Sequence, residues 1–179
     1  MKIDIKKEIK NLGDISDDYN AFLIDLWGVV HNGLKLFPEI INILERLKDK
    51  RKEIIFITNA PRRSSTIKEQ IKDFGLSSSL FSNIISSGEI SWLRMKEIVS
   101  DKKKNCFHIG PPRDNHLTEN LDINLVKEPS KTDFILNTGP WGDNDTLENY
   151  KDILIKLYKF NPIMICANPD KKVIRGKNF

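Results

Sequence analysis

The stretch from Ala21 to Gly33, A-F-L-I-D-L-W-G-V-V-H-N-G, constrains this chain more than any other, because an apolar run delivers one carboxylate, Asp25, into a glycine-containing turn. Phe22 to Leu26 is too short and too evenly apolar for a surface helix. It predicts a strand buried on both faces, as in a parallel sheet. Open α/β sheets place their chemistry at the carboxyl edge. A carboxylate there has the chemistry of a nucleophile that attacks phosphorus and carries the phosphoryl group as an acyl phosphate. A lone strand-end aspartate is more often a turn cap, so the rest of the chain must decide between the two.

Beyond Asp25, strand and helix signals alternate. A helix is predicted from Pro38 (P-E-I-I-N-I-L-E-R-L-K-D-K), with proline in its first turn, an apolar stripe of Ile40, Ile41, Leu44 and Leu47, and cations at its end. Glu53 to Ile57 is a second buried strand running into Thr58-Asn59-Ala60-Pro61-Arg62-Arg63. Ser64 or Ser65 then caps a helix to Phe74, which Gly75 stops. Asn83 to Ser86 is a third strand, and Glu89 to Val99 a helix with Ile90, Leu93 and Ile98 inward. Three strand and helix pairs in series imply a parallel sheet with right-handed crossovers, hence a doubly wound, Rossmann-like α/β core.

Before this core, residues 1–20 read as an amphipathic helical extension through Ile5, Ile9 and Leu12, closing in a polar turn. After it, the basic run Lys102-Lys103-Lys104 marks a boundary near 100–105. Strands then resume as C-F-H-I, F-I-L-N-T and P-I-M-I-C-A, with a helix from Thr146 to Phe160 before the last. The predicted organisation is an extension over 1–20, a core over 21–100 and a second α/β module over 101–179.

A net charge of +4 arises from lysine excess in a chain with 39% hydrophobic and 30% charged residues. The lysine run reads as a solvated loop, so nucleic acid is not the expected partner. Cys106 and Cys166 lie in separate apolar runs and read as buried free thiols. No segment approaches the ~18 apolar residues of a membrane span, and the N-terminus lacks a leader-like apolar centre. The expected setting is cytoplasmic, without a membrane.

Phosphoryl transfer by an aspartate needs an in-line carboxylate, donors for the phosphoryl oxygens and a divalent cation. Asp25 and Thr58 stand at the ends of strands joined by one crossover, so a parallel sheet brings them out side by side. The turn D-x-x-G-V-x-x-x-G, then T-N-A-P-R, I-I-S-S-G-E, T-G-P-W and A-N-P-D, in that order, resembles the haloacid dehalogenase-like hydrolases of subclass IIA, with their nucleotide monophosphatase and nitrophenyl-phosphatase relatives. The resemblance runs from about Asn20 to Phe179. It implies that Asp25 is the nucleophile and that Thr58 with Asn59 binds the phosphoryl group. It also implies Mg²⁺ held by Asp25 and the main-chain carbonyl of Trp27, and a substrate-covering cap from about residue 100 onward.

Two departures qualify this. Position 27 carries tryptophan where the family's phosphatases carry the aspartate that acts as acid and base. Without such help an alkoxide leaving group loses roughly two to four powers of ten in rate. The family's lysine and acidic metal-binding pair come after the cap, whereas the sequence reads as ending inside it, and Lys171, Lys172 and Lys177 are not assigned the lysine's role. The expectation is a Mg²⁺-dependent phosphomonoester hydrolase acting on a small phosphorylated metabolite. The alternative is an inactive truncated or split-gene fragment, partnered by a complementary C-terminal polypeptide or by itself. His31, in the loop after Asp25, and Arg62 and Arg63 are secondary candidates, read first as solvated side chains; Asn168, Pro169 and Asp170 read as a turn or a helix start.

Overall fold

The computed structural model describes residues 9–142 and 144–170. Two parallel sheets organise it. The first has the order β1 (Ala21–Asp25), β2 (Glu53–Thr58), β3 (Asn83–Ser86). The second has the order β5 (Ile123–Val126), β4 (Lys104–Ile109), β6 (Phe134–Asn137), β7 (Ile163–Cys166). Helices α1 (Ile40–Asp49), α2 (Ser64–Asp73), α3 (Ser87–Ile98) and α4 (Leu147–Tyr158) connect the strands. The alternation therefore yields the α/β, Rossmann-like architecture expected of it.

In the first sheet, Ile54, Phe56 and Ile84 point to one face and are buried against Ile40, Leu44 and Leu47 of α1 and Ile67 and Ile71 of α2. Phe56 meets Phe81 with ring centroids 4.9 Å apart. The opposite face is open, with Leu23 64%, Ile57 38% and Ile85 41% exposed. The expectation that β1 is buried on both faces is thus corrected. An evenly apolar strand records what its environment must exclude, not which element covers it. The second sheet is covered on both sides. Phe107, Ile109 and Ile135 pack on Leu157 of α4, while Cys106, Phe134 and Leu136 pack on Met95 and Val99.

Several local expectations also change. Most of the helix expected over 1–20 falls on residues 1–8, outside the described residues; the polar stretch that follows forms two short 3-10 turns, Leu12–Asp14 and Ser16–Asp18. Asp14 and Ser16 bond neighbouring backbone groups there, which competes with helix formation. Pro38 stays in a turn, because Glu39 adopts the left-handed conformation at φ 65° before α1 begins. α3 turns Gly88, Ser91 and Met95 inward and leaves Ile90 and Leu93 exposed, since it must satisfy two sheets rather than one. Strand β5, with its polar Asn124, is not legible as a strand in the sequence and is paired to β4 in parallel. Cys106 is buried, with its thiol pushed up to about 12 by desolvation, but Cys166 is exposed on edge strand β7. Among the described residues no helix is long and apolar enough to cross a membrane.

Candidate active site

The parallel register pairs Asp25 with Ile57, so Thr58 is the next residue along the neighbouring strand and both stand at its carboxyl edge. Beyond Asp25 the chain turns tightly. The Leu26 carbonyl accepts from the amides of Val29, Val30 and His31 at 3.3, 2.8 and 3.1 Å, and buried Leu26 and Val30 anchor the turn beneath the sheet. Gly28 allows this at φ 83°, where a Cβ would be strained. The Asp25 carboxylate is exposed and accepts no hydrogen bond among the described residues.

Trp27 is 38% exposed rather than core-filling. Its indole lies so close to Gly33 that a Cβ there would sit 2.5 Å from Cη2. His31, expected to be solvated, is 3% exposed. Its Nδ1 accepts from the Gly33 amide at 3.0 Å, and its ring meets Trp27 and Phe74 edge-on. Burial lowers the His31 pKa, and the Asp25 charge opposes that shift. A solvated side chain is the local expectation for a loop histidine, because sequence alone does not show that this loop folds back under the sheet.

Burial likewise lowers the pKa of His108, whose ring is held between Asn115 and Thr138 at 2.8 and 2.9 Å. Both imidazoles therefore favour the neutral form on folding. Below the unfolded value of about 6.5 the unfolded chain takes up protons that the folded chain resists, so stability is full above that pH and falls below it. The urea midpoint should be lower near pH 5.5 than near pH 7.5, and the difference should shrink in His108→Gln. A midpoint that does not move would contradict this.

The turn after β2 is held from three directions. Thr58 Oγ1 accepts from the Ala60 amide at 3.3 Å, and Asn59 donates from Nδ2 to the Asp170 carboxylate. From S-S-G-E, Ser86 Oγ donates to the Arg62 carbonyl at 2.6 Å and the Gly88 amide to the Ala60 carbonyl at 3.1 Å. Ser87 Oγ lies 3.1 Å from the Ala60 carbonyl and 2.5 Å from that of Ala167, tying the turn to the A-N-P-D segment beyond β7. Glu89 accepts from Arg63 at 2.8 and 3.0 Å and from the Ser64 amide at 3.0 Å. α2 is thus capped by a distant carboxylate, not by its own serine. The Arg63 guanidinium holds the Glu89 carboxyl below its ordinary range. Arg63 also lies 3.8 Å over the Trp92 ring, so it is structural rather than a ligand group.

The segment beyond β7 in the second sheet therefore meets the Thr58-Asn59 turn of the first through Asp170 and Ala167. The sequence points to Asp25, Thr58 and Asn59, and to S-S-G-E and A-N-P-D as motifs, but it does not assign Ser87, Glu89 or Asp170 to the turn they hold. Contacts spanning up to 111 residues leave no local signal. No group of three or more His, Cys, Asp or Glu side chains able to hold a metal ion occurs among the described residues.

Comparison with known proteins agrees with this geometry. No curated protein matches the chain significantly. A solved haloacid dehalogenase-like hydrolase from Brucella suis 1330 shares 32% identity at a TM-score of 0.82, over 96% of this chain and 62% of that one. A 4-nitrophenylphosphatase from Thermotoga maritima shares the fold at 23% identity and a TM-score of 0.64, over 87% of this chain and 57% of its own. A glycerol phosphate phosphatase from Mycobacterium tuberculosis, solved with magnesium, does so at 14% identity and a TM-score of 0.62, over 89% and 47%. This chain thus spans less than two thirds of the length of these relatives. The model of the haloacid dehalogenase-like hydrolase family matches residues 22–124, and the chain belongs to that family.

Proposed function

We propose that the chain hydrolyses phosphomonoesters through an aspartyl-phosphate on Asp25. The observation that carries this reading is the emergence of Asp25 and the Thr58-Asn59 turn from adjacent parallel strands, in a family whose structural neighbours include named phosphatases. A carboxylate oxygen of Asp25 attacks phosphorus as the ester P–O bond breaks and the alcohol leaves. Water then cleaves the acyl phosphate. Thr58 Oγ1 and the second N–H of the Asn59 amide are the donors for the phosphoryl oxygens.

Mg²⁺ fits this donor set. Asp25 and the Trp27 carbonyl are hard oxygen ligands, and Mg²⁺ is commonly bound by one or two carboxylates with water and substrate phosphate completing its shell. When bound it offsets the charge of the phosphoryl oxygens. Residues from about 101 onward form the cap in this reading, through the contacts of Asp170 with Asn59 and Ser87 with Ala167. With Trp27 in the acid–base position, protonation of the leaving alkoxide falls to solvent, so esters with acidic leaving groups should turn over fastest.

The test is an acid quench of the chain with radiolabelled phosphomonoester and Mg²⁺. Label recovered on the peptide containing Asp25 supports the reading, and label elsewhere counts against it.

A second reading is carried by the open face of the first sheet, where Leu23, Ile57 and Ile85 flank Asp25. We infer that further polypeptide, in a complementary chain or a second copy, covers this face in the active form. A rise in turnover with protein concentration, tracking a change in sedimentation, is the expected sign; unassisted turnover by a monomer contradicts it.

A further inference from the structure

The peptide between Trp27 and Gly28 can turn either way at little cost, because Gly28 sits at φ 83° with no Cβ to resist a flip of that plane. Its direction matters to a cation. In a trans peptide the carbonyl and the following N–H point in opposite directions. With the Trp27 carbonyl turned out of the loop, the plane offers a cation an oxygen; flipped, it offers an N–H, which repels one.

The plane is set from His31. The Gly28 amide donates to the His31 carbonyl at 2.8 Å and the His31 amide donates to the Leu26 carbonyl at 3.1 Å, the pattern of a parallel bridge between Trp27 and His31. The Trp27 carbonyl therefore points away from His31. On its other side His31 is bridged to Leu36, where the Asn32 amide donates to the Lys35 carbonyl at 3.1 Å and the Phe37 amide to the Val30 carbonyl at 2.9 Å. His31 is thus the middle rung of a three-segment ladder.

Its side chain ties that rung down. The buried ring lies with its centroid 5.3 Å from that of Phe74, at the end of α2, and 5.5 Å from that of Trp27. Nδ1 accepts from the Gly33 amide at 3.0 Å. Gly33, at φ 88°, in turn seats the indole, whose Cη2 and Cζ2 would lie 2.5 and 2.8 Å from a Cβ there. The contacts close a circuit from imidazole to Gly33, from Gly33 to the indole, and from the indole back to the imidazole.

We propose that His31 is a positioning residue for the cation at Asp25: its Nδ1 bond to the Gly33 amide holds the loop in the arrangement that presents the Trp27 carbonyl as a ligand. The proposal rests on the phosphomonoester reading for the presence of a cation there, and the experiment separates the two. Removing an outer partner of this kind typically weakens metal affinity by about 10- to 100-fold. The indole at 27, packed on Gly33, belongs to the same lock.

The full chain is titrated with Mn²⁺ as a stand-in for Mg²⁺, and the free ion is counted by electron paramagnetic resonance. At about pH 8 histidine is neutral, so no substitution at 31 by an uncharged residue alters the charge. His31→Leu and His31→Asn introduce side chains of nearly the same shape, and both remove the ring. Only asparagine offers the Gly33 amide an acceptor near the place of Nδ1. His31→Leu should bind Mn²⁺ about tenfold more weakly than the unmodified chain, and His31→Asn within about threefold of it. A merely structural role predicts the reverse order, because leucine is the easier residue to bury. His31→Phe keeps a ring without the acceptor; it should weaken binding as His31→Leu does, and takes its place if circular dichroism shows that His31→Leu does not fold.

Equal affinities in the variants with and without an acceptor, a variant without one that binds as the unmodified chain does, or no binding of Mn²⁺ by the unmodified chain would overturn the role of His31. Asp25→Asn should weaken Mn²⁺ binding as well, and full retention there would place the ion elsewhere and overturn it too. Binding that depends on the acceptor at 31 without label on Asp25 would sink the proposed chemistry and leave the positioning role standing. Label on Asp25 with an affinity indifferent to position 31 would do the reverse.

Discussion

Replacing Gly88 with alanine should destabilise the chain by about 3 kcal/mol, at the upper end of what overpacking usually costs, and should displace the turn after β2. A Cβ at position 88 would lie 2.3 Å from the Arg62 nitrogen, 2.4 Å from its oxygen and 2.6 Å from its carbonyl carbon. All three are backbone atoms, so no side-chain rotation relieves the clash. The Gly88 amide also donates to the Ala60 carbonyl at 3.1 Å, and moving α3 away from the turn breaks that bond as well. Because Ser86, Ser87 and Glu89 hold the same turn, the displacement reaches Thr58 and Asn59. Thermal denaturation should show a fall of roughly 6–12 °C for a chain of this size. Leu93→Ala, on an exposed position of the same helix, should change stability by less than about 0.5 kcal/mol. An unchanged melting temperature for Gly88→Ala would mean that the S-S-G-E segment does not brace the turn.

Asp25→Asn should abolish both the phosphoenzyme label and turnover, lowering kcat by at least about a thousandfold, because an amide is a poor nucleophile and no neighbouring group replaces it. Folding should be unaffected. Asp25 is exposed, its carboxylate accepts no hydrogen bond among the described residues, and asparagine has nearly the same shape. Removal of one charge also removes the interaction that holds the His31 pKa up, so the variant should lose slightly more stability below the unfolded value of about 6.5. Matched circular dichroism and urea midpoints establish that the fold is kept, and a quenched assay with p-nitrophenyl phosphate, an ester with an acidic leaving group, measures the loss. A variant that retains full turnover would remove Asp25 from the chemistry.

How much of this is legible in the sequence depends on the distance over which each feature is decided. The β1-to-β2 crossover is readable because strand, turn and helix signals recur locally, and parallel pairing of neighbouring strands results from a short crossover. That alone puts Asp25 and Thr58 together. The faces of α3 are misleading in sequence because Ile90 and Leu93 look like a core stripe, whereas Gly88, Ser91 and Met95 are the residues the packing selects. Glycine faces inward at 88 because the Arg62 backbone approaches too closely for a side chain there. His31 misleads for a related reason: the loop held by Leu26 and Val30 folds its ring against Phe74, far along the chain, which no local signal shows.

Arg62 and Arg63 show the same division at adjacent positions. In sequence they are equivalent cations at a helix start. In the folded chain Arg63 is bound to Glu89 and stacked over Trp92, while Arg62 reaches Gln70 on α2. The contact between Arg63 and Glu89, 26 residues apart, decides which of the two cations is tied to α3.

The sequence by itself determined the α/β alternation, the strand end that carries Asp25 and the order of motifs that marks the family, since each depends on periodicity and turn chemistry within a few residues. The tertiary structure alone decided which sheet face is open, which histidine is buried and how the second sheet closes on the turn at Thr58. These are outcomes of packing between segments far apart in the chain, where side-chain volume and hydrogen-bond satisfaction, rather than local preference, select the arrangement.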